Sequence, residues 1–206
     1  DNDPSDYTGH GTHVAGTIAA VGNNSTGITG VMWQAKIMPL RFIGIHGTGV
    51  TSDAIAAILY AKANGAAVIN NSWGGSDLSL ALRDAIAVSG AVVVCSAGND
   101  GTNNDTVHNY PSDFTSENII SVAASDQNDA LADFSNFGPT SVDIAAPGVS
   151  IYSTLPQFSY GPAVTVYTQN FDGASGALPL SGWNRGGTNS TWAVTAGTGV
   201  TGGSLE

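Results

Sequence analysis

The chain has one cysteine in 206 residues. A single thiol excludes an internal disulfide and a cysteine-built metal site. Cys95 lies in AVVVCSAGND, among apolar and small neighbours, and reads as a buried strand thiol. Charge is also scarce. Only 10% of residues are Asp, Glu, Lys or Arg, where an ordinary soluble domain carries about 25%. Positive charge is the scarcest, with 5 Lys and Arg against 16 Asp and Glu and a net charge of −11. A chain of that sign repels phosphate backbones and anionic bilayers, which sets aside nucleic-acid and membrane partners. No apolar run reaches the ~18 residues of a membrane span, and no secretory leader pattern is present.

What remains is 42% hydrophobic residues and 27 glycines. That is enough for one packed α/β domain and part of a second. Low charge with many Gly, Ser, Thr and Asn suits a secreted protein. Residues 12–20 read as a buried helix with His10 near its start, and VGNNSTGITGV (21–31) as a loop. AKIMPLRFI (35–43) reads as a strand. TSDAIAAILYAKANG has apolar residues at helical spacing, a capping Thr51 or Ser52, and Gly65 as its stop. AAVINNSW (66–73) is a strand, SLALRDAIAVSG a helix, and AVVVCSAG (91–98), NIISVAAS (118–125) and SVDIAAPG (141–148) are strands. Apolar strands alternating with helices predict an α/β fold, a parallel sheet with helices on both faces. Ligands of such sheets bind beyond the carboxyl ends of the strands. NSWGG (71–75) and SAGND (96–100) fall there.

GHGTHVAGT (9–17) places two histidines three residues apart among small residues. Imidazole is suited to proton transfer near neutrality, and Gly9, Gly11 and Thr12 leave room around His10. A general base, core packing and a metal ligand all stay open on local grounds, although the HExxH glutamate is absent. His13, one turn on, is expected to face inward with Val14. His46 and His108 sit in loops without carboxylate neighbours. Asn99, directly after a strand and a glycine, is either a turn-former or an amide donor aimed into a cleft, as an oxyanion hole requires.

GHGTHVAGT, INNSWGG, CSAGNDG and IAAPGVSIYSTLP occur in that order on one α/β pattern. Together they resemble the subtilisin-like serine proteases, over residues 1–155 or so. The resemblance implies that His10 is the general base, His13 a structural histidine and Asn99 the oxyanion-hole amide. It implies that Ser72, Trp73 and Gly74 form one wall of the primary specificity pocket, and Ser96, Ala97 and Gly98 the other. Asp100 and Asn109 fall at that pocket's rim and base. Gly47, Thr48 and Gly49 match the edge that pairs with an extended substrate. Asn24, Thr26 and Ile28 lie where many relatives offer one side-chain and two carbonyl oxygens to a structural calcium ion. No cofactor is required for the chemistry.

The family's triad runs Asp, His, Ser. Asp1, Asp3 and Asp6 precede His10 but none stands in a D-T/S-G context, so they read as an acidic loop. No G-T-S-M-A motif follows STLP. The chain opens on Asp1 and ends at Glu206 in mid-pattern, so both ends read as cut. Residues 1–156 are expected to be a partial peptidase domain, and 157–206 the start of an inserted or appended all-β module. QNFDGASGALPLSGW and WAVTAG in that segment resemble jelly-roll modules of secreted enzymes. The expected protein is a monomeric, extracellular serine endopeptidase acting on polypeptides, with these 206 residues inactive alone. The alternative is a non-catalytic subtilase-like scaffold used for extracellular binding or adhesion.

Overall fold

The computed structural model describes residues 3–156 and one antiparallel strand pair, Ala193–Val194 with Val200–Thr201. The chain divides into two compact units, Asp1–Pro156 and Gln157–Glu206. Apart from that strand pair, the expected β module lies outside the described residues.

The first unit runs α1 (His10–Ala19), α2 (Thr51–Ala63), β1 (Val68–Asn71), α3 (Leu80–Ala87), β2 (Val92–Ser96), β3 (Ile119–Ser125) and β4 (Ile144–Pro147). The four strands form one sheet in the order β1-β2-β3-β4, and every pair is parallel. Each strand falls inside its expected segment. Residues 35–43 are the exception: they form no strand, and Ile37 and Met38 stay exposed. Their β-forming side chains have no ladder to join among the described residues, and propensity alone does not hold a strand.

α2 buries Ala54, Ile58 and Ala61, and α3 buries Leu82, Ala85 and Ile86. Val93 and Cys95, two apart on β2, point the same way and join Ala54, Ile58, Leu82, Ala85, Ile86 and Phe114 in one core cluster. α2 and α3 therefore cover the same face of the sheet. Ile86 and Val93 are fully buried, each contributing about 1.5–3 kcal/mol by leaving water. The cap of α2 differs from expectation. Val50 occupies the cap position without a side-chain bond, and Thr51 is already helical. Asp53 in the first turn answers the helix dipole instead. In α3, Ser79 caps as a serine should, its hydroxyl accepting from Leu82 N at 3.2 Å.

α1 is capped from a distance. Gly9 has no side chain to offer, so Asp6 supplies the acceptor. Its carboxylate accepts from Thr8 N (2.9 Å), Gly9 N (2.9 Å), Thr12 N (2.7 Å) and Thr12 Oγ1 (2.8 Å). Burial by itself raises the Asp6 pKa, but the donors from Thr12, Thr8 and Gly9 outweigh it and hold the group far below the usual carboxylate range. These donors bind the ionised form, so their contribution is complete above the ordinary carboxylate pKa of about 3.9. It is lost as pH falls below that value and on through the lower folded-state pKa. Asp6→Ala is expected to destabilise the chain by ~1 kcal/mol at neutral pH, the usual cost of a lost cap. The difference from wild type should shrink at pH 3. Urea denaturation at both pH values checks this, and a difference that grew on acidification would contradict it.

Candidate functional site

β1 and β2 are parallel neighbours with Asn71 opposite Cys95. The chain leaving each strand's carboxyl end therefore emerges beside the other. Ser72–Gly74 follows β1, and Ala97–Asn99 follows β2. Between them lies a cavity of about 200 Å³ lined by Ser72, Trp73, Gly74, Ser96, Gly98, Asn99, Asp100 and Asn109. A second cavity of about 230 Å³ borders it along the strand ends and shares Ser72, Ser96, Gly98 and Asn99. Asn70, Ala97, Pro147 and Gly148 also line that one. The two segments expected to form pocket walls thus stand face to face, with Asn99 bordering both cavities.

Close approach fixes the walls. A Cβ on Gly74 would meet Asn109 Oδ1 at 2.7 Å. Gly98 has φ +119, and a Cβ there would meet Asn136 Nδ2 at 2.3 Å. Asn109, which lines the smaller cavity, is buried, and its Nδ2 donates to Ala97 O (3.0 Å) and Ser112 Oγ (3.1 Å). Its backbone N–H donates to Asp113 Oδ2 at 2.8 Å. Asn104 and Asn136, at 0% and 1% exposure, complete this frame. The sequence reading missed both. Asn104 stands in the polar run GTNNDT and Asn136 between Phe134 and Phe137, and neither setting by itself marks a site residue. The Asn99 side chain itself is exposed, and no hydrogen bond holds it among the described residues.

His10 is the first residue of α1, exposed, with no side-chain partner among the described residues. It lines neither cavity. His13 is tied down: its Nε2 lies 3.1 Å from Ile151 O, which places the ring proton on Nε2. The His13 carbonyl accepts from Ser153 Oγ at 2.6 Å, and the Thr12 carbonyl accepts from Thr154 Oγ1 at 2.7 Å. The chain leaving β4, where Pro147 and Gly148 line the larger cavity, therefore runs on to grip α1. It connects the strand-end cavities to the helix that carries His10. Asp6 is fully engaged at the start of α1, in keeping with an acidic loop.

Gly47, Thr48 and Gly49 form an exposed turn, with Gly44 N donating to Thr48 O at 2.9 Å and Gly47 N to Gly44 O at 3.0 Å. They line neither cavity. Gly49 lies against the Phe42 ring, which packs edge-on against Trp73 at 5.0 Å, so the turn adjoins one pocket wall. Asn24 Oδ1 accepts from Thr26 N at 3.1 Å, in a loop where Asn23, Ser25 and Gly27 all have positive φ. With the Thr26 and Ile28 carbonyls, that oxygen offers three donors, where calcium takes about six to eight. No cluster of three His, Cys, Asp or Glu fit for a metal occurs among the described residues. His108 has a carboxylate neighbour after all. Its Nδ1 is 3.4 Å from Oδ2 of Asp113, brought near by the turn between them. Burial pushes the Cys95 thiol up to about 12, against a small lowering by the Asn71 amide, so it stays protonated and unreactive.

The profile of the Subtilase family, peptidase S8, matches residues 1–182. Thermitase from Thermoactinomyces vulgaris is 41% identical over 187 residues, covering 88% of this chain and 65% of thermitase. An extracellular protease from Xanthomonas campestris pv. campestris is 43% identical over 184 residues, covering 82% of this chain and 30% of that protein. Among solved structures, a protease from Pseudoalteromonas arctica PAMC 21717 is 40% identical with a TM-score of 0.61. That match covers 68% of this chain and 43% of the other. This chain spans less than two thirds of each of these relatives. With the family matched over most of the chain, and relatives at 40% identity or more, the chain belongs to the subtilase family.

Proposed function

We propose that the protein of which these residues are part is an extracellular serine endopeptidase. The observation that carries the reading is the cavity between Ser72–Gly74 and Ser96–Asp100, with an uncommitted Asn99 amide at its border. In the proposed reaction a serine supplied by the remainder of the protein attacks the peptide carbonyl. His10 takes its proton as the Oγ–C bond forms, and an aspartate, also supplied by the remainder, orients the imidazole. The Asn99 amide donates to the oxyanion. The C–N bond then breaks, His10 returns the proton to the leaving amine, and water hydrolyses the acyl-enzyme through the same base. Gly47–Gly49 holds the substrate backbone. Any calcium ion would be structural, with Asn24 Oδ1 and the Thr26 and Ile28 carbonyls as part of its shell. It supplies no step of the chemistry. Extracellular placement rests on the family and on the Xanthomonas relative's description. No described helix is long and apolar enough to cross a membrane.

The pocket's charge sets its preference. Asp100 lines the smaller cavity, and Asp113 accepts from the N–H of Asn109, which also lines it. Two carboxylates repel an acidic side chain and accept a neutral or basic one. In a peptide library the full-length protein is expected to cleave after neutral or basic residues at least about tenfold faster than after Glu. Preference for Glu would contradict the pocket assignment. No cleavage of any peptide by the full-length protein would leave the non-catalytic scaffold. The 206-residue chain, with no serine in a G-T-S-M-A context, is expected to be inert in the same assay.

A further inference from the structure

We infer that Asn136 is a positioning residue for Asn99. The inference rests on the oxyanion role proposed for Asn99. Asn136 is 36 residues from Asp100 in sequence, yet it bonds on both sides of Asn99. Its backbone N–H donates to Gly98 O at 3.0 Å. Its Oδ1 accepts from Asp100 N at 2.8 Å and from Thr102 N at 3.2 Å. The residues before and after Asn99 are thus fixed by one side chain and its own amide, while the Asn99 side chain stays uncommitted.

The clamp is itself anchored. Asn136 Nδ2 donates to Asn104 Oδ1 at 3.0 Å. Asn104 Nδ2 donates to Ala97 O (2.8 Å) and Asp113 Oδ1 (3.0 Å). These bonds fix which way both amides point, because each oxygen receives donors and each NH2 meets acceptors. Asn136 also explains Gly98, since its Nδ2 occupies the space a Cβ would need. Both asparagines are almost completely buried. At that burial a missing partner is costly and geometry is tightly held. Preorganised donors matter in catalysis because they need no reorganisation as charge develops.

The test is a double-mutant cycle in the full-length protein, with turnover normalised to titrated active sites. Asn136→Ala is expected to lower kcat by on the order of 10–10², the cost of a displaced catalytic group, with KM nearly unchanged. In an Asn99→Leu background the same change should cost about twofold or less, because no donor remains to be positioned. Independently of activity, amide exchange at Asp100 and Thr102 in the full-length protein should accelerate about fivefold or more in Asn136→Ala. Equal losses in both backgrounds, a loss confined to KM, or unchanged exchange overturns the positioning role alone. Unchanged turnover in Asn99→Leu by itself overturns the oxyanion reading, and the positioning role falls with it.

Discussion

His10→Ala in the full-length protein is expected to lower turnover by about 10⁶-fold while leaving the fold intact. The size is that known for subtilisin, a member of the same family, where base and nucleophile act as one unit. The intact fold follows from the structure. His10 is exposed at the first position of α1, and its side chain has no partner among the described residues. The start of the helix is set by Asp6 instead, through bonds to the backbone of Gly9 and Thr12. An alanine at His10 disturbs none of them, so stability should move by no more than about 0.5 kcal/mol. His13 is the internal contrast. Its ring and carbonyl hold Ile151 and Ser153, so a substitution there reports on packing as well as chemistry. Single-turnover kinetics and a melting curve on His10→Ala separate the two effects. Turnover within tenfold of wild type would remove His10 from the mechanism.

The sheet was legible because buried parallel strands are short apolar runs between helices. Val68–Asn71, Val92–Ser96, Ile119–Ser125 and Ile144–Pro147 all lie inside segments of that kind. Residues 35–43 carry the same local signal and form no strand, since a strand also needs a neighbour, which composition does not reveal. The start of α2 misled for a related reason. Thr51 and Ser52 are good caps by type, but the backbone turns at Val50, and Asp53 serves the dipole. The site was legible in part. Its walls follow two adjacent strands, so fold and motif order together place them. The two histidines were undecidable locally, and only the surrounding motifs raised the expectation of a base at His10 and a structural residue at His13. Asn104 and Asn136 were invisible. Their meaning lies in bonds made in the fold: Asn104 to Ala97 and Asp113, 7 and 9 residues away, and Asn136 to Asp100 and Thr102, 36 and 34 residues away; no spacing rule encodes such contacts.

Asn99→Leu is the second large effect, an expected loss of about 10²–10³ in kcat with KM nearly unchanged. The split follows from when the bond forms. A planar carbonyl carries little charge, whereas the tetrahedral oxyanion carries a full one, so the amide stabilises the transition state far more than the bound substrate. Leucine suits the test because it is close in size and cannot donate. The Asn99 side chain is exposed, and no bond holds it among the described residues, so removing the amide leaves no buried group unpaired. The flanking clamp is also untouched, since Asp100 N and Thr102 N bond to Asn136 and not to Asn99. A fall in kcat therefore reads the chemistry and not a collapsed wall. If KM rose in proportion while kcat held, Asn99 would be a substrate-binding residue. If neither moved, the amide would be a turn-former whose place beside the cavity carries no catalytic role.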